Sequence, residues 1–481
     1  MKKRLNKTLI FLLVINLILY VPSLFEPISY GDECIYLTLG NAFRKGLVFY
    51  RDIHDNKPPL LYLLAALANG KLFYFRLLAI IANLTHLALI YLLIKKLTKN
   101  KWPPFIGGLI FTVGYLAFEG RIANGEIFMM LPVTLAVYLL ISNFKNKNLP
   151  LGLIIGLLFA IGFLFKIPVA FDLFGILFAT YILTFKKIKF QNLANIFKEK
   201  RFWGIIIGFF LPVFISILYY SSRGAFIPYV RSALMQNIGY LSSWQGSGLD
   251  LIVRGLILIL LSLALFLARK KCSYYSLFFG SWFIFALFGA LLSGRPYPHY
   301  LIEIIPPLSI LTALTFTKQR NFFVLLTSYF LILTAYFYFH FWWYPILPYY
   351  KNFFSYSSGK ISQEQYFSYW GERTKKNYRL AKFIRGTSLP NDRIFIWGDA
   401  CCVYAISKRL PPGRYTVNYH IFDFNGFKET LRAIKKVKPP IIVKMKNETR
   451  IWPELDSFLI KNYYALFLPD LDDQIYLRLN H

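Results

Sequence analysis

Eleven long apolar runs constrain this chain more than any motif does. They lie near residues 8–25, 71–94, 103–118, 127–142, 149–165, 167–185, 202–221, 251–268, 273–292, 301–316 and 322–340. A hydrocarbon core is roughly 30 Å thick and takes about 20 apolar residues as a helix. In lipid every backbone polar group needs an internal partner, so each run is predicted to be a helix. At 56% hydrophobic and 19% aromatic, a water-soluble fold would expose too much apolar surface. The apolar piece 58–70 is too short to span and is expected as an interfacial or re-entrant helix.

The net charge of +32 invites a nucleic-acid partner. Its distribution argues against one. The basic residues gather in the N-terminus (Lys2, Lys3, Arg4, Lys7) and in the short segments 95–101, 143–148, 185–201, 268–272 and 317–321, with a single acid, Glu199, among them. Short cytoplasmic loops carry such an excess of lysine and arginine. The remaining acids before residue 341, from Glu26 to Glu303, fall on or near the other side. An odd number of spans with a cytoplasmic N-terminus then puts everything after residue 341 outside. No small-residue cleavage site follows the first run, so it is expected to stay as a span.

The outward side would receive the stretch GDECIYLTLGNAFRKGLVFYRDIHDNKPP (31–59), the loop FEGRIANGE (118–126), Lys166, the loop 222–250 and SGRPYPHY (293–300). The segment after Asn377 changes texture. Strands near 393–397, 440–445 and 474–479 alternate with helices near 427–438 and 453–462, which predicts a small α/β domain. It shows no catalytic motif and is expected to be accessory. The expected division is a transmembrane domain over 1–345 with an external loop over 26–70, a linker over 346–376 and an extracytoplasmic domain over 377–481. Cys401 and Cys402 are adjacent, with Cys34 and Cys272 far away, so no structural disulfide is expected.

Within the first loop, Asp32 and Glu33 follow the first span closely. A carboxylate near other acids can act as a general base. Glu119 and Glu126 face the same side from a second loop. Lys57, before Pro58 and Pro59, is suited to hold a phosphate as a point charge, although a lysine at an interface also snorkels. Arg295 and His299 are candidate phosphate or sugar contacts, and equally interface anchors. His86, in mid-span, is expected to be a packed, hydrogen-bonded histidine.

The sequence DECIYLTLGNAFRKGLVFYRDIHDNKPPLLYLL resembles the first external loop of membrane glycosyltransferases of the GT-C class, in the branch of protein O-mannosyltransferases and lipid A aminoarabinose transferases. RIANGEIFMMLP and RPYPHYLIEIIPP resemble later motifs of that branch. The resemblance implies a mostly α, polytopic GT-C-like fold and a polyprenyl-phosphate sugar donor used on the extracytoplasmic face. It also implies inversion at the anomeric carbon, with a lipid, glycan or protein acceptor. Asp32 takes the place of the catalytic aspartate, with Glu33 beside it, Lys57 that of the lysine on the donor phosphate, and Glu126 that of the second-loop acid. In the aminoarabinose transferases an acid precedes that lysine and helps hold a metal. Here the position is Asn56, so no cofactor is assigned and a divalent metal stays open. The alternative class is a transporter or flippase of a lipid-linked saccharide. It would want charged groups along a mid-membrane path, whereas most acids here collect towards one face.

Overall fold

The computed structural model describes residues 6–185, 190–236, 248–317, 322–469 and 471–479. The basic stretches 2–4, 186–189 and 318–321, and residues 237–247 of the loop 222–250, lie outside the described residues. Apolar helices form at each of the eleven expected places. Among the described residues, five are long and apolar enough to cross a membrane: Lys7–Phe25, Leu72–Leu97, Gly125–Ser142, Lys200–Ser222 and Leu249–Ala268. Six shorter ones are Trp102–Ala117, Leu149–Phe165, Val169–Ile182, Tyr274–Ala290, Pro298–Leu314 and Phe322–Tyr338. The chain is a multi-pass membrane protein. Leu249–Ala268 shows why lipid is its solvent: Ile252, Leu256, Ile259, Leu260 and Leu263 are all exposed, an arrangement that water would penalise at about 25 cal/mol per Å².

The chain divides into two compact units. The first holds 1–21, 76–219 and 234–344, and the second holds 22–75, 220–233 and 345–481.

In the first unit, helix starts are written locally. Asn148 accepts the Leu151 N–H ahead of Leu149–Phe165, and Ser273 accepts that of Ser276 ahead of Tyr274–Ala290. Small residues then set the packing. A Cβ on Gly156 would lie 2.2 Å from the Ile205 carbonyl, and one on Gly208 would lie 2.3 Å from that of Leu153. The Leu149–Phe165 and Lys200–Ser222 helices therefore touch backbone to backbone, the contact that small residues permit in membranes. His86 is buried, with Nε2 2.7 Å from Thr134 Oγ1 and Nδ1 2.9 Å from Tyr115 Oη. It is the packed histidine the sequence suggested.

In the second unit, Asp32 and Glu33 do not sit in an irregular loop. They open the helix Gly31–Arg44, where carboxylates favour the positive end of the dipole. Gly46, at φ +84°, turns the chain out of this helix. The interfacial piece forms the helix Leu60–Leu67. A Cβ on Gly40 would lie 2.6 Å from the Ala65 backbone, so these two helices pack closely.

Residues 346–376, read above as a linker, form the helices Ile346–Ser357 and Gln363–Ser368 and open a third, Glu372–Thr387. Tyr349 donates to Glu26 at 2.6 Å, and the Ile28 N–H donates to the Tyr378 hydroxyl oxygen at 2.8 Å, so this stretch packs on residues just after the first span. Beyond it lies a four-stranded sheet of β1 (Phe395–Trp397), β2 (Ile441–Lys444), β3 (Tyr463–Leu468) and β4 (Leu471–Arg478), in the order β1-β2-β4-β3. β1 and β2 are parallel and the other pairs antiparallel. Phe395, Trp397, Ile434, Ile442, Trp452 and Leu459 form its core. β3 and the helices Cys401–Ser407 and Asn418–Asp423 were not anticipated.

The absence of a structural disulfide is corrected. Cys34 and Cys402 are bonded across 368 residues. Nothing in their spacing shows this, because the pairing depends on the Cys401–Ser407 helix packing against Gly31–Arg44.

Candidate active site

The candidate site is built on the second unit. Helix geometry turns the side chains of Asp32 and Glu33 apart. Glu33 is buried, and the Asp32 side chain is 33% exposed. Asp32 Oδ2 accepts the Tyr36 hydroxyl at 3.0 Å, one helical turn on.

Lys57 arrives from the segment before Leu60–Leu67. Two tyrosines fix its backbone. Tyr50 donates to its carbonyl at 2.8 Å, and its N–H donates to Tyr62 Oη at 2.9 Å. Tyr50 is buried and non-glycine at φ 71°, a conformation of the kind that surrounding structure must hold in place. The Lys57 ammonium stands 3.7 Å from Asp32 Oδ2 and 3.8 Å from Asp55 Oδ2, with the Tyr36 ring centroid 5.0 Å away. Asp55 is buried. Its Oδ2 accepts the Tyr62 hydroxyl at 2.7 Å, and its Oδ1 lies 3.7 Å from His420 Nε2. Burial, opposed in part by Asp55, pushes His420 down to about 4, so its imidazole is neutral at pH 7. Burial, with His420 nearby, also holds His54 well below the ordinary histidine range.

The sequence expectations named Asp32, Glu33 and Lys57 but gave no role to Asp55, Tyr36, Tyr50, Tyr62 or His420. The tyrosines interleaved with FYRDIHDNKPPLLY were the available signal. For His420 there was none.

Arg295, His299, Glu119 and Glu126 belong to the first unit. His299 Nδ1 lies 2.9 Å from Glu119 Oε2, both buried. Glu126 pairs with Lys166, whose ammonium sits 4.1 Å from the Tyr300 ring centroid. Deeper in the helices, Trp282 donates to Asp172 Oδ1 at 2.6 Å. Arg295 lies in the turn after Gly294, and its N–H donates to Ser293 Oγ at 3.3 Å. The first unit also holds a cavity of about 440 Å³ among helices Leu249–Ala268, Tyr274–Ala290 and Phe322–Tyr338. Leu258, Leu261, Leu287 and Leu331 line it, and Arg254 and His340 add polar groups.

Around Lys57, Asp55 and His420 are two residues of metal-ligand type, with Asp55 Oδ1 3.7 Å from His420 Nε2. Among the described residues, Cys34, Cys401 and Cys402 are the group of three ligand types within 4.8 Å of one another. Two of them form the disulfide. Burial, with Asp32 nearby, pushes the Cys401 thiol upward, and its Sγ donates to the Gly31 carbonyl. With Asn56 before Lys57, no step is drawn through a metal.

Comparison with known proteins follows the same lines. Residues 57–220 match the family model for dolichyl-phosphate-mannose-protein mannosyltransferase. The crystal structure of ArnT from Cupriavidus metallidurans bound to undecaprenyl phosphate is similar over 98% of both chains, with a TM-score of 0.61 and 12% identity. ArnT from the same organism in the apo state is similar over 98% of this chain and 97% of that one, at a TM-score of 0.57 and 12% identity. No curated protein sequence matches significantly. The fold is that of the GT-C class of membrane glycosyltransferases, the class the first-loop sequence resembles.

Proposed function

We propose that this protein is an inverting glycosyltransferase that moves a monosaccharide from a polyprenyl-phosphate donor to an acceptor hydroxyl on the extracytoplasmic membrane face. The observation that carries this reading is the meeting of Asp32 and Lys57 at 3.7 Å, a carboxylate and an ammonium brought together from two elements. The acceptor oxygen attacks the anomeric carbon while Asp32 takes its proton. The bond from that carbon to the phosphate oxygen breaks, and the lipid phosphate leaves with its electron pair. Such a leaving group needs positive charge where negative charge develops, which Lys57 supplies. A single displacement inverts the anomeric centre. We assign the phosphate to Lys57, the cation that meets Asp32.

Three further features support the reading. The apolar helices of the first unit make this a membrane protein, as a lipid-borne donor requires. The disulfide favours an oxidising compartment for the second unit, and hence the orientation given by the basic loops. The similar ArnT structure is described as bound to undecaprenyl phosphate. The test is to incubate the purified full chain with a panel of polyprenyl-phosphate sugars and follow release of the lipid phosphate. Release from at least one donor, abolished in Lys57→Met, is expected. No release from any donor with a range of hydroxyl acceptors would contradict it.

A further inference from the structure

The segment after residue 377 has no catalytic motif, yet it sends a side chain into the candidate site. Asp399 Oδ1 accepts the N–H groups of Asn418 and Tyr419 at 2.9 and 3.2 Å, which fixes the start of the Asn418–Asp423 turn of helix. That turn carries His420, which is 1% exposed. Its ring stands nearly perpendicular to that of His54, with centroids 4.8 Å apart. His54 is in turn tied to the same segment by its N–H, which donates to the Arg414 carbonyl at 2.8 Å. His420 Nδ1 makes no hydrogen bond within the protein. Nε2 instead faces the Asp55 carboxylate, 3.7 Å from Oδ1, an electrostatic contact longer than a hydrogen bond that favours the proton on that nitrogen.

Asp55 is thus addressed from both sides: His420 on Oδ1, and Tyr62 with Lys57 on Oδ2. A buried carboxylate is tolerated only when its oxygens are satisfied. Removing one partner redirects it towards the others. We propose that His420 is a positioning residue of the candidate site: by holding Asp55 it sets the place of the Lys57 ammonium that meets the donor phosphate. This rests on the assignment of Lys57 to the phosphate. It makes the C-terminal segment part of the site rather than an accessory.

The test uses the full-length protein in detergent, with undecaprenyl phosphate as the probe. His420→Phe fills the space without a donor, and His420→Gln keeps one. His420→Phe is expected to weaken undecaprenyl phosphate binding about tenfold, the scale of a lost polar neighbour to a buried carboxylate, and His420→Gln to restore most of it. The second readout is the pH midpoint for reductive methylation of Lys57, followed by mass spectrometry. It should move to higher pH in His420→Phe, because Asp55 released from His420 pairs more closely with the ammonium. Unchanged binding and an unchanged midpoint in His420→Phe would overturn the proposal. Equal weakening in both variants with an unmoved midpoint would also overturn it, since a merely structural histidine behaves so. If His420→Phe does not fold, His420→Ala takes its place: a midpoint moved to higher pH supports the proposal, and an unmoved one overturns it. If Lys57→Met leaves undecaprenyl phosphate binding intact, the donor assignment fails. The labelling midpoint alone then decides on His420 and Lys57.

Discussion

Asp32 Oδ2 and Lys57 Nζ face each other at 3.7 Å, and each has a second polar neighbour: the Tyr36 hydroxyl for Asp32 and the Asp55 carboxylate for Lys57. The carboxylate and the ammonium are held by different elements, the first turn of one helix and the segment before another. Their separation therefore depends on the packing of Gly40 against Ala65.

Replacing Lys57 separates its proposed role at the donor phosphate from its contact with Asp55. Lys57→Met should weaken undecaprenyl phosphate binding about 10–100-fold, the scale of a hydrogen bond to a charged group. It should also destabilise the fold by about 1–3 kcal/mol, because Asp55 stays buried without the ammonium. Equilibrium binding and thermal melting of the same preparation check both. Unchanged affinity would remove Lys57 from the donor site.

The disulfide gives a prediction independent of catalysis. Cys34→Ser should lower stability by about 2–4 kcal/mol, as for a link that closes a long loop. Melting of the unaltered protein should fall on adding a thiol reductant, while that of Cys34→Ser should not respond. A reductant effect of equal size in both would show that the bond does not form.

The eleven apolar helices were legible because each is written as one nearly unbroken run of apolar residues, a local signal. Asp32 and Lys57 were legible because they share one short stretch of motif. What escaped was nonlocal. Cys34 finds Cys402, and Asp55 finds His420, only once the C-terminal segment packs beside the first-loop helix. The change from loop to helix at Asp32 was missed for a different reason. The apolar side of Gly31–Arg44 is buried in the fold and does not extend the preceding span. The tyrosine hydroxyls on Lys57 belong to residues that composition alone would assign to an aromatic interface belt.

His420 gives a pH signature. It titrates near 4 when folded and near 6.5 when unfolded. Burial is the main cause, and Asp55, Lys57, Asp32 and Asp399 are the charged groups around it, with His54 beside it. Between those values the unfolded chain binds more protons, so stability falls as pH drops from about 6.5 towards 4. The contribution is at most about 3 kcal/mol. His54 acts in the same sense and remains in both proteins. The loss of melting temperature from pH 7 to pH 5 should therefore be smaller in His420→Gln than in the unaltered protein. Equal losses would contradict the buried, neutral state of His420.

The most direct test of the account is the rate of transfer from a polyprenyl-phosphate sugar by Asp32→Asn. The change keeps the side-chain shape and removes the basicity. It should cost about 10²–10⁴ in rate, the range for a lost general base. Stability should change by no more than about 1 kcal/mol, since the side chain is 33% exposed. Near-normal transfer by Asp32→Asn, with transfer abolished by Glu33→Gln or Glu126→Gln, would contradict the assignment and move the base to one of those residues.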